Sequence, residues 1–196
     1  MSQRWWYLRR GIAWPGMLGC AVAAAVLAGL VDRWPSSAAV LLPTALACCA
    51  AAAAFVFDEH ATGVVAVTPL GAGWRRTTRL AAVAVPLVVW GVIVLVRPGG
   101  VPLERSGWWL VGGATIALTG GLAAGASRRE VAAPSAALAA TVTLAVISPV
   151  VVTAFLGWDS VYPLSGFGQG SWMFWSLVAA GGVAAWVVAM RPGIRA

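Results

Sequence analysis

The sequence predicts an all-α membrane protein, and its composition is the first observation that does so. Of the 196 residues, 61% are hydrophobic and only 10% are charged, whereas about a quarter of a soluble domain is charged. The second observation is a set of six apolar runs, each long enough to cross a bilayer. This composition excludes a soluble enzyme, a secreted disulfide scaffold and a disordered tail, because none of these carries so much apolar surface.

The six runs are expected to be helices, because a helix satisfies its own backbone in lipid, whereas the strands of a barrel would alternate in polarity. None of the runs contains Asp, Glu, Arg or His. The predicted spans are Ile12–Val31, Ala38–Phe57, Leu80–Val96, Trp109–Ala126, Ser135–Phe155 and Trp172–Met190. The chain is therefore interpreted as one transmembrane domain, residues 1–196. Outside the spans lie an interfacial N-terminal segment (1–11), a loop at 58–79 and a loop at 157–171.

The distribution of arginine predicts the orientation of the chain. Ten of the 13 basic residues lie at one side of the predicted bundle, namely Arg4, Arg9, Arg10, Arg75, Arg76, Arg79, Arg128, Arg129, Arg191 and Arg195. Only Arg33, Arg97 and Arg105 lie at the other. Because cytoplasmic loops carry the excess of basic residues, both termini and the 58–79 loop are expected to be cytoplasmic, with the 157–171 loop external. The net charge of +7 thus sets topology and does not indicate a nucleic-acid partner.

Several chemistries are excluded by the residues that the chain lacks. It has no lysine, so it has no phosphate-binding loop of the Walker type and is not expected to hydrolyse ATP. Its single histidine, His60, and Ser165 fall on opposite sides of the predicted bilayer and cannot form a catalytic pair. Paired histidines for haem and clustered acids for a metal are also missing. The three cysteines, Cys20, Cys48 and Cys49, fall in apolar runs and are interpreted as small hydrophobic residues without a disulfide or metal. We therefore expect no enzyme and no cofactor in this chain.

The spans also lack the titratable or charged group that ion-coupled carriers hold at membrane depth, which weakens the transporter and channel interpretations that need one. Their polar groups are hydroxyls, which could line a path but more often bond back to their own helix. These hydroxyls are on Thr115, Thr119, Thr141, Thr143, Ser148 and Thr153. Gly121 and Gly125 have GxxxG spacing, for which packing within the bundle is the favoured interpretation over a dimer interface.

The loop between spans two and three carries the most information about function. It contains, in order, an acidic pair (Asp58 and Glu59), an apolar patch (Val64, Val65 and Val67), a helix start (Thr68 and Pro69) and a basic cluster (Arg75, Arg76 and Arg79). Threonine is a favoured helix N-cap and proline is favoured in the first turn. The basic cluster is expected to act as a cytoplasmic anchor beside anionic lipid head groups, with a topology signal as the favoured interpretation.

With six spans and this order of features, the chain resembles the membrane subunits of ATP-binding-cassette (ABC) exporters of the type-2 permease class. The resemblance implies a coupling helix in the 58–79 loop that docks on a separate ATPase subunit, and ATP and magnesium bound by that partner. It also implies an elbow helix over Gln3–Trp14 and a short re-entrant external segment over Gly157–Trp172. The Gly-Thr usual after the acidic pair is displaced and reversed here, at Thr62-Gly63.

The predicted function is therefore a permease subunit of an ATP-driven exporter in a bacterial inner membrane, paired with a second permease, identical or related. A pathway without fixed charges favours a lipophilic or amphipathic substrate. The alternative is a non-transporting membrane scaffold or assembly subunit, in which the same helices bury a partner. A membrane enzyme comes third and depends only on Asp58, Glu59 and His60 lying together at a helix end.

Overall fold

The computed structural model confirms an all-α architecture with six apolar helices. It describes residues 4, 8–9, 11–58, 72–96, 104–127, 134–158, 160–164 and 167–191, with the backbone alone at 72–76 and 134. Within these ranges there is no strand. The helices are α1 (Trp14–Arg33), α2 (Ala38–Phe55), α3 (Ala72–Val96), α4 (Arg105–Ala126), α5 (Pro134–Leu156) and α6 (Gln169–Met190), and a 3₁₀ turn (Pro35–Ser37) joins α1 to α2. All six helices are long and apolar enough to cross a membrane, as in a multi-pass membrane protein.

The helices differ from the predicted spans mainly where polar residues begin. In the described residues α3 starts at Ala72, two turns earlier than predicted, and α4 starts at Arg105, one turn earlier. Hydropathy marks where the apolar residues stop, whereas backbone hydrogen bonding continues through the polar residues beyond them. Arg79 consequently lies within the third membrane-spanning stretch, Thr77–Val96. The expectation that no span holds a charged residue is wrong for this helix.

The helix α2 lies at the centre of the bundle and packs against α1, α3, α4 and α5. Two thirds (67%) of the stretch Pro35–Phe55 is buried, the largest share of any span. Its second half is almost entirely alanine, and every residue from Ala50 to Ala54 is buried. Small side chains let neighbouring helices approach closely, which matters in lipid because burial of apolar groups alone gives no net driving force there. The alanine run therefore explains why α2 can accept four neighbours.

The second close helix pair is α4 with α6, and glycines form its contact. A Cβ atom at Gly121 would lie 2.8 Å from Cβ of Ala185, and one at Gly182 would lie 2.9 Å from the backbone nitrogen of Leu118. By contrast, a Cβ at Gly125 would meet nothing within 4 Å. Gly121 of the GxxxG pair is thus used inside the bundle, as the favoured interpretation of that spacing predicted.

The N-terminal segment is tied to the start of α1. Its described residues Arg4, Leu8, Arg9 and Gly11 have helical backbone, and the non-helical residues Ile12 and Ala13 precede α1, which begins at Trp14. The indole Nε1 of Trp14 donates a hydrogen bond to the Leu8 carbonyl at 2.8 Å. The elbow helix over Gln3–Trp14 stays a prediction, and the indole joins Leu8 to the first residue of the first span.

We expect Gly182→Ala to destabilise the bundle relative to Gly181→Ala. Both changes add the same methyl group to α6 and gain the same helix propensity. Only the methyl at Gly182 would overlap the α4 backbone, whereas a Cβ at Gly181 meets nothing within 4 Å. Overlap with the backbone forces the helices apart. The free energy of unfolding of the Gly182 variant should therefore be about 1–3 kcal/mol lower than that of the Gly181 variant. Unfolding in detergent micelles, followed by tryptophan fluorescence, measures the difference, and equal stabilities would contradict the close contact.

Candidate coupling site and the two ends of the bundle

The arginine-rich end is the end of the bundle at which α2 and α6 stop and α3 and α5 start. Arg79 of α3 is the central residue there, and its side chain is only 4% exposed. Its Nη1 donates to the Phe57 carbonyl at 2.8 Å, and its Nη2 donates to the Gly11 carbonyl at 3.2 Å. A guanidinium can make both bonds because its donors form a rigid fork, which a lysine ammonium lacks. These two bonds, the Arg79 clamp, join α3 to the end of α2 and to the N-terminal segment.

Asp58, the residue after the clamped carbonyl, joins the same end of α2 to α5. Its Oδ2 accepts a hydrogen bond from the Ser135 hydroxyl in the first turn of α5. Its Oδ1 is buried and has no hydrogen-bond partner among the described residues. Asp58 directly follows Phe57, whose carbonyl accepts from Arg79, so neighbouring residues at the end of α2 bond to α3 and to α5.

Together, Arg79 and Asp58 hold both ends of the 58–79 loop. Asp58 is the first residue of the loop and Arg79 the last, and the bond from Arg79 to Phe57 closes its base. The rest of the predicted coupling site, Glu59, Val64, Val65, Val67, Thr68 and Pro69, lies outside the described residues. Arg75 and Arg76 lie on the first turns of α3, and only their backbone is described.

The structure corrects the expected role of Arg79 as an anchor for lipid head groups. Its guanidinium is buried and bonded to two protein carbonyls, because the helix starts earlier than hydropathy indicated and takes this residue into the bundle. The signal that could have found it is helical spacing. Arg79 lies eleven residues, or about three turns, before buried Trp90, and Ala82 and Val83 are buried on the same face.

At the opposite end, four aromatic side chains form a continuous cluster. Trp90 of α3 contacts Trp108 of α4 at 5.7 Å between ring centroids, and Trp108 stacks on Tyr162 of the α5–α6 connection at 5.8 Å. Tyr162 in turn contacts Trp175 of α6 at 5.8 Å. We call these four residues the aromatic cluster. It packs the connection between α5 and α6 against the ends of three helices.

Hydrogen bonds fix the depth of Tyr162 in the bundle. Its hydroxyl donates to the Val146 carbonyl of α5 at 2.5 Å, and the Trp175 indole donates to the Val161 carbonyl at 2.9 Å. Val146 lies ten residues before Leu156, where α5 ends, which is about 15 Å along a helix. The connection therefore turns back into the bundle at Tyr162. Burial raises the pKa of the Tyr162 phenol, so the group stays a neutral donor at physiological pH.

Pro149 breaks the backbone hydrogen bonding of α5, and a nearby hydroxyl partly compensates for the break. Pro149 has no N–H, so the Ala145 carbonyl loses its usual helical donor. The Ser148 hydroxyl donates to that carbonyl at 3.3 Å. The hydroxyls of Thr115, Thr119, Thr141 and Thr153 likewise donate to carbonyls of their own helices, as expected from the sequence.

The described residues offer binding and positioning chemistry at the arginine-rich end. Among them, no group of three or more His, Cys, Asp or Glu could hold a metal ion. Cys20, Cys48 and Cys49 carry free thiols. The hydroxyl of Ser135 bonds directly to a carboxylate. What this end can do is hold the base of the 58–79 loop against the N-terminal segment and α5.

Replacing Arg79 by leucine should destabilise the protein strongly. The change leaves the Phe57 and Gly11 carbonyls without these donors, and a buried polar group without a partner costs about 1–3 kcal/mol. We expect the free energy of unfolding to fall by about 2–4 kcal/mol, with Arg79→Lys in between because one nitrogen replaces the fork. Arg191→Leu, which removes an exposed arginine at the same end, is the matched control. If the two leucine variants are equally stable in detergent, the clamp is not a stabilising contact.

Tyr162→Phe should destabilise the opposite end by about 1 kcal/mol, because it keeps the ring contacts and removes only the donor to Val146. The variant should also lack a pH dependence of the free energy of unfolding that the wild-type protein shows. Because the phenol pKa is raised in the folded protein, ionisation opposes folding, and wild-type stability should fall as pH rises above the ordinary value of 10. Unfolding of both proteins between pH 8 and about 11 measures the difference; an unchanged slope in the variant would contradict it. Trp158→Phe, at an exposed position of the same connection, is the control.

The bundle is thus closed by a charged clamp at one end and by an aromatic cluster at the other. The clamp holds the base of the loop predicted to couple to a partner, and the cluster holds the α5–α6 connection. Comparison of the chain with protein-family models, with curated proteins and with solved structures finds no match. The function is therefore argued from the residues and geometry of this chain.

Proposed function

We propose that this chain is the permease subunit of an ATP-driven ABC-type exporter and that its 58–79 loop docks on a separate ATPase subunit. The observation that carries the proposal is the Arg79 clamp. A loop that transmits force needs a base that does not yield, and here the base is closed by the bond from Arg79 to the Phe57 carbonyl. The second bond of the clamp, to Gly11, and the bond from Ser135 to Asp58 extend that base to the N-terminal segment and α5.

Charge supports placing this end of the bundle in the cytoplasm, where an ATPase would find ATP and magnesium. Ten of the 13 basic residues belong to the segments at the arginine-rich end. An even number of spans then puts both termini on that side. A bacterial inner membrane is proposed on the same ground, together with the absence of lysine and asparagine, which is typical of chains encoded by GC-rich genomes.

A lipophilic or amphipathic substrate is proposed because the charged residues of the described spans lie near the span ends, at Asp32 and Arg33 of α1, Arg79 of α3 and Arg105 of α4. The hydroxyls of Thr115 and Thr141 bond to their own helices, and Arg79 donates to protein carbonyls. A second permease subunit is proposed because α5 and α6 bury little of their surface in this chain. Only 11% of Ser135–Leu156 and 17% of Gln169–Met190 are buried, which leaves apolar area for a partner as well as for lipid.

The test is Val65→Asp in the apolar patch of the loop. If that patch docks into an ATPase groove, a carboxylate there is buried without a partner, and the subunit should be released with a loss of a few kcal/mol, or about 100-fold in affinity. The tagged chain is purified from native membranes in mild detergent. We expect the wild-type preparation to show magnesium-dependent ATPase activity and ATP-driven export in vesicles. The variant should lose both activities.

Thr153→Ala in α5 is the control for general damage, since its hydroxyl only bonds back to Val150. A Val65→Asp protein that retains the ATPase and exports normally would refute docking through this patch. A wild-type chain that purifies with no ATPase activity, but with another membrane protein, would instead support the scaffold function. ATP hydrolysis by the purified chain alone would overturn the assignment of hydrolysis to a partner.

A further inference from the structure

An open cavity of about 520 Å³ lies between the N-terminal segment and the part of α3 that follows Arg79. It falls in the size range of small-molecule sites in proteins. Its lining is apolar except for one arginine, and consists of Leu8, Arg9, Trp14, Ala81, Ala82 and Val85. Because Ala81 and Ala82 are small, α3 presents little side-chain volume to fill this space. We call the cavity the N-terminal groove.

The walls of the N-terminal groove are held by two hydrogen bonds already described. On one side, the Trp14 indole bonds to the Leu8 carbonyl, which fixes the N-terminal segment to α1. On the other, Arg79 bonds to the Gly11 carbonyl, which fixes the same segment to α3 just before the lining residue Ala81. These two hydrogen bonds hold the N-terminal segment beside α1 and α3 and so define the two sides of the groove.

The chemistry of the groove selects one kind of occupant. An apolar floor at the end of a membrane span suits a hydrocarbon chain, and an exposed arginine at its edge suits an anionic group. None of the described residues that line the groove is acidic, so none of them competes with an anionic ligand for Arg9. A neutral lipid would match the floor alone, and a free phosphate would match the arginine alone. We propose that the N-terminal groove binds an anionic phospholipid of the surrounding bilayer, with an acyl chain along α3 and its phosphate paired with Arg9.

One arm of the test fills the groove. The full-length protein is purified in mild detergent, supplied with equal amounts of phosphatidylglycerol and phosphatidylcholine with the same acyl chains, and analysed by native mass spectrometry. Ala81→Trp places a large side chain at an exposed lining position, whereas Ala84→Trp makes the same change at an exposed position of α3 outside the lining. We expect the Ala81 variant to lose the bound phosphatidylglycerol and the Ala84 variant to keep it, with equal unfolding temperatures.

The other arm removes the charge. Arg9→Gln should reduce the preference for phosphatidylglycerol over phosphatidylcholine by about fivefold, the factor that one arginine contributes beside an anionic surface. Arg191→Gln, at an exposed position of the same end, should leave the preference unchanged. The proposal is overturned if wild-type protein binds both lipids equally, if Ala81→Trp retains phosphatidylglycerol, or if Arg9→Gln keeps the full preference. A dimer that forms when Ala81 is wild type and dissociates in Ala81→Trp, with no bound lipid, would instead assign the groove to a second copy of the chain.

Discussion

Close approach between helix backbones is the constraint on which the rest of this bundle depends. In lipid, apolar side chains gain little by leaving one hydrocarbon environment for another, so helices associate through van der Waals contact between small residues. The alanine run of α2 meets this constraint at the centre of the bundle, and Gly121 with Gly182 meets it between α4 and α6. Larger side chains at these places would separate the helices, and the polar contacts at both ends of the bundle would then lose their geometry.

Polar interactions are concentrated at the two ends because the small-residue contacts occupy the middle. At the arginine-rich end, a buried guanidinium is acceptable only because protein carbonyls replace the water it has lost. At the opposite end, the Tyr162 hydroxyl and the Trp175 indole find backbone carbonyls in the same way. Arg79 and Tyr162 thus both use a long side chain with a polar tip, which reaches a backbone carbonyl inside the bundle.

The six helices could be predicted from the sequence because length and hydropathy depend on local composition. The role of Arg79 could not, because it depends on where Gly11 and Phe57 lie after folding, residues that are distant in the chain. Hydropathy also places charged residues outside a span by construction, so a buried arginine at a helix end is assigned to the surface. From the sequence we also expect a re-entrant segment over Gly157–Trp172, but not that Tyr162 would hold it, since its hydrogen-bond partner in α5 lies sixteen residues away. The residues of the predicted coupling patch, Val64 to Pro69, stay a prediction.

The helix α6 contacts both ends of the bundle, as α3 does through Arg79 and Trp90. Near the clamp, Trp186 contacts the ring of Phe57 at 5.8 Å, and eleven residues away Trp175 bonds to the α5–α6 connection. These two contacts lie about 16 Å apart along the helix, with Gly182 pressed on α4 between them. A helix held tightly at an intermediate point moves its two ends in opposite directions when it tilts. If the proposed coupling displaces Phe57, α6 would tilt and move Trp175 and the aromatic cluster with it. Such a movement needs no charged residue at the middle of the membrane.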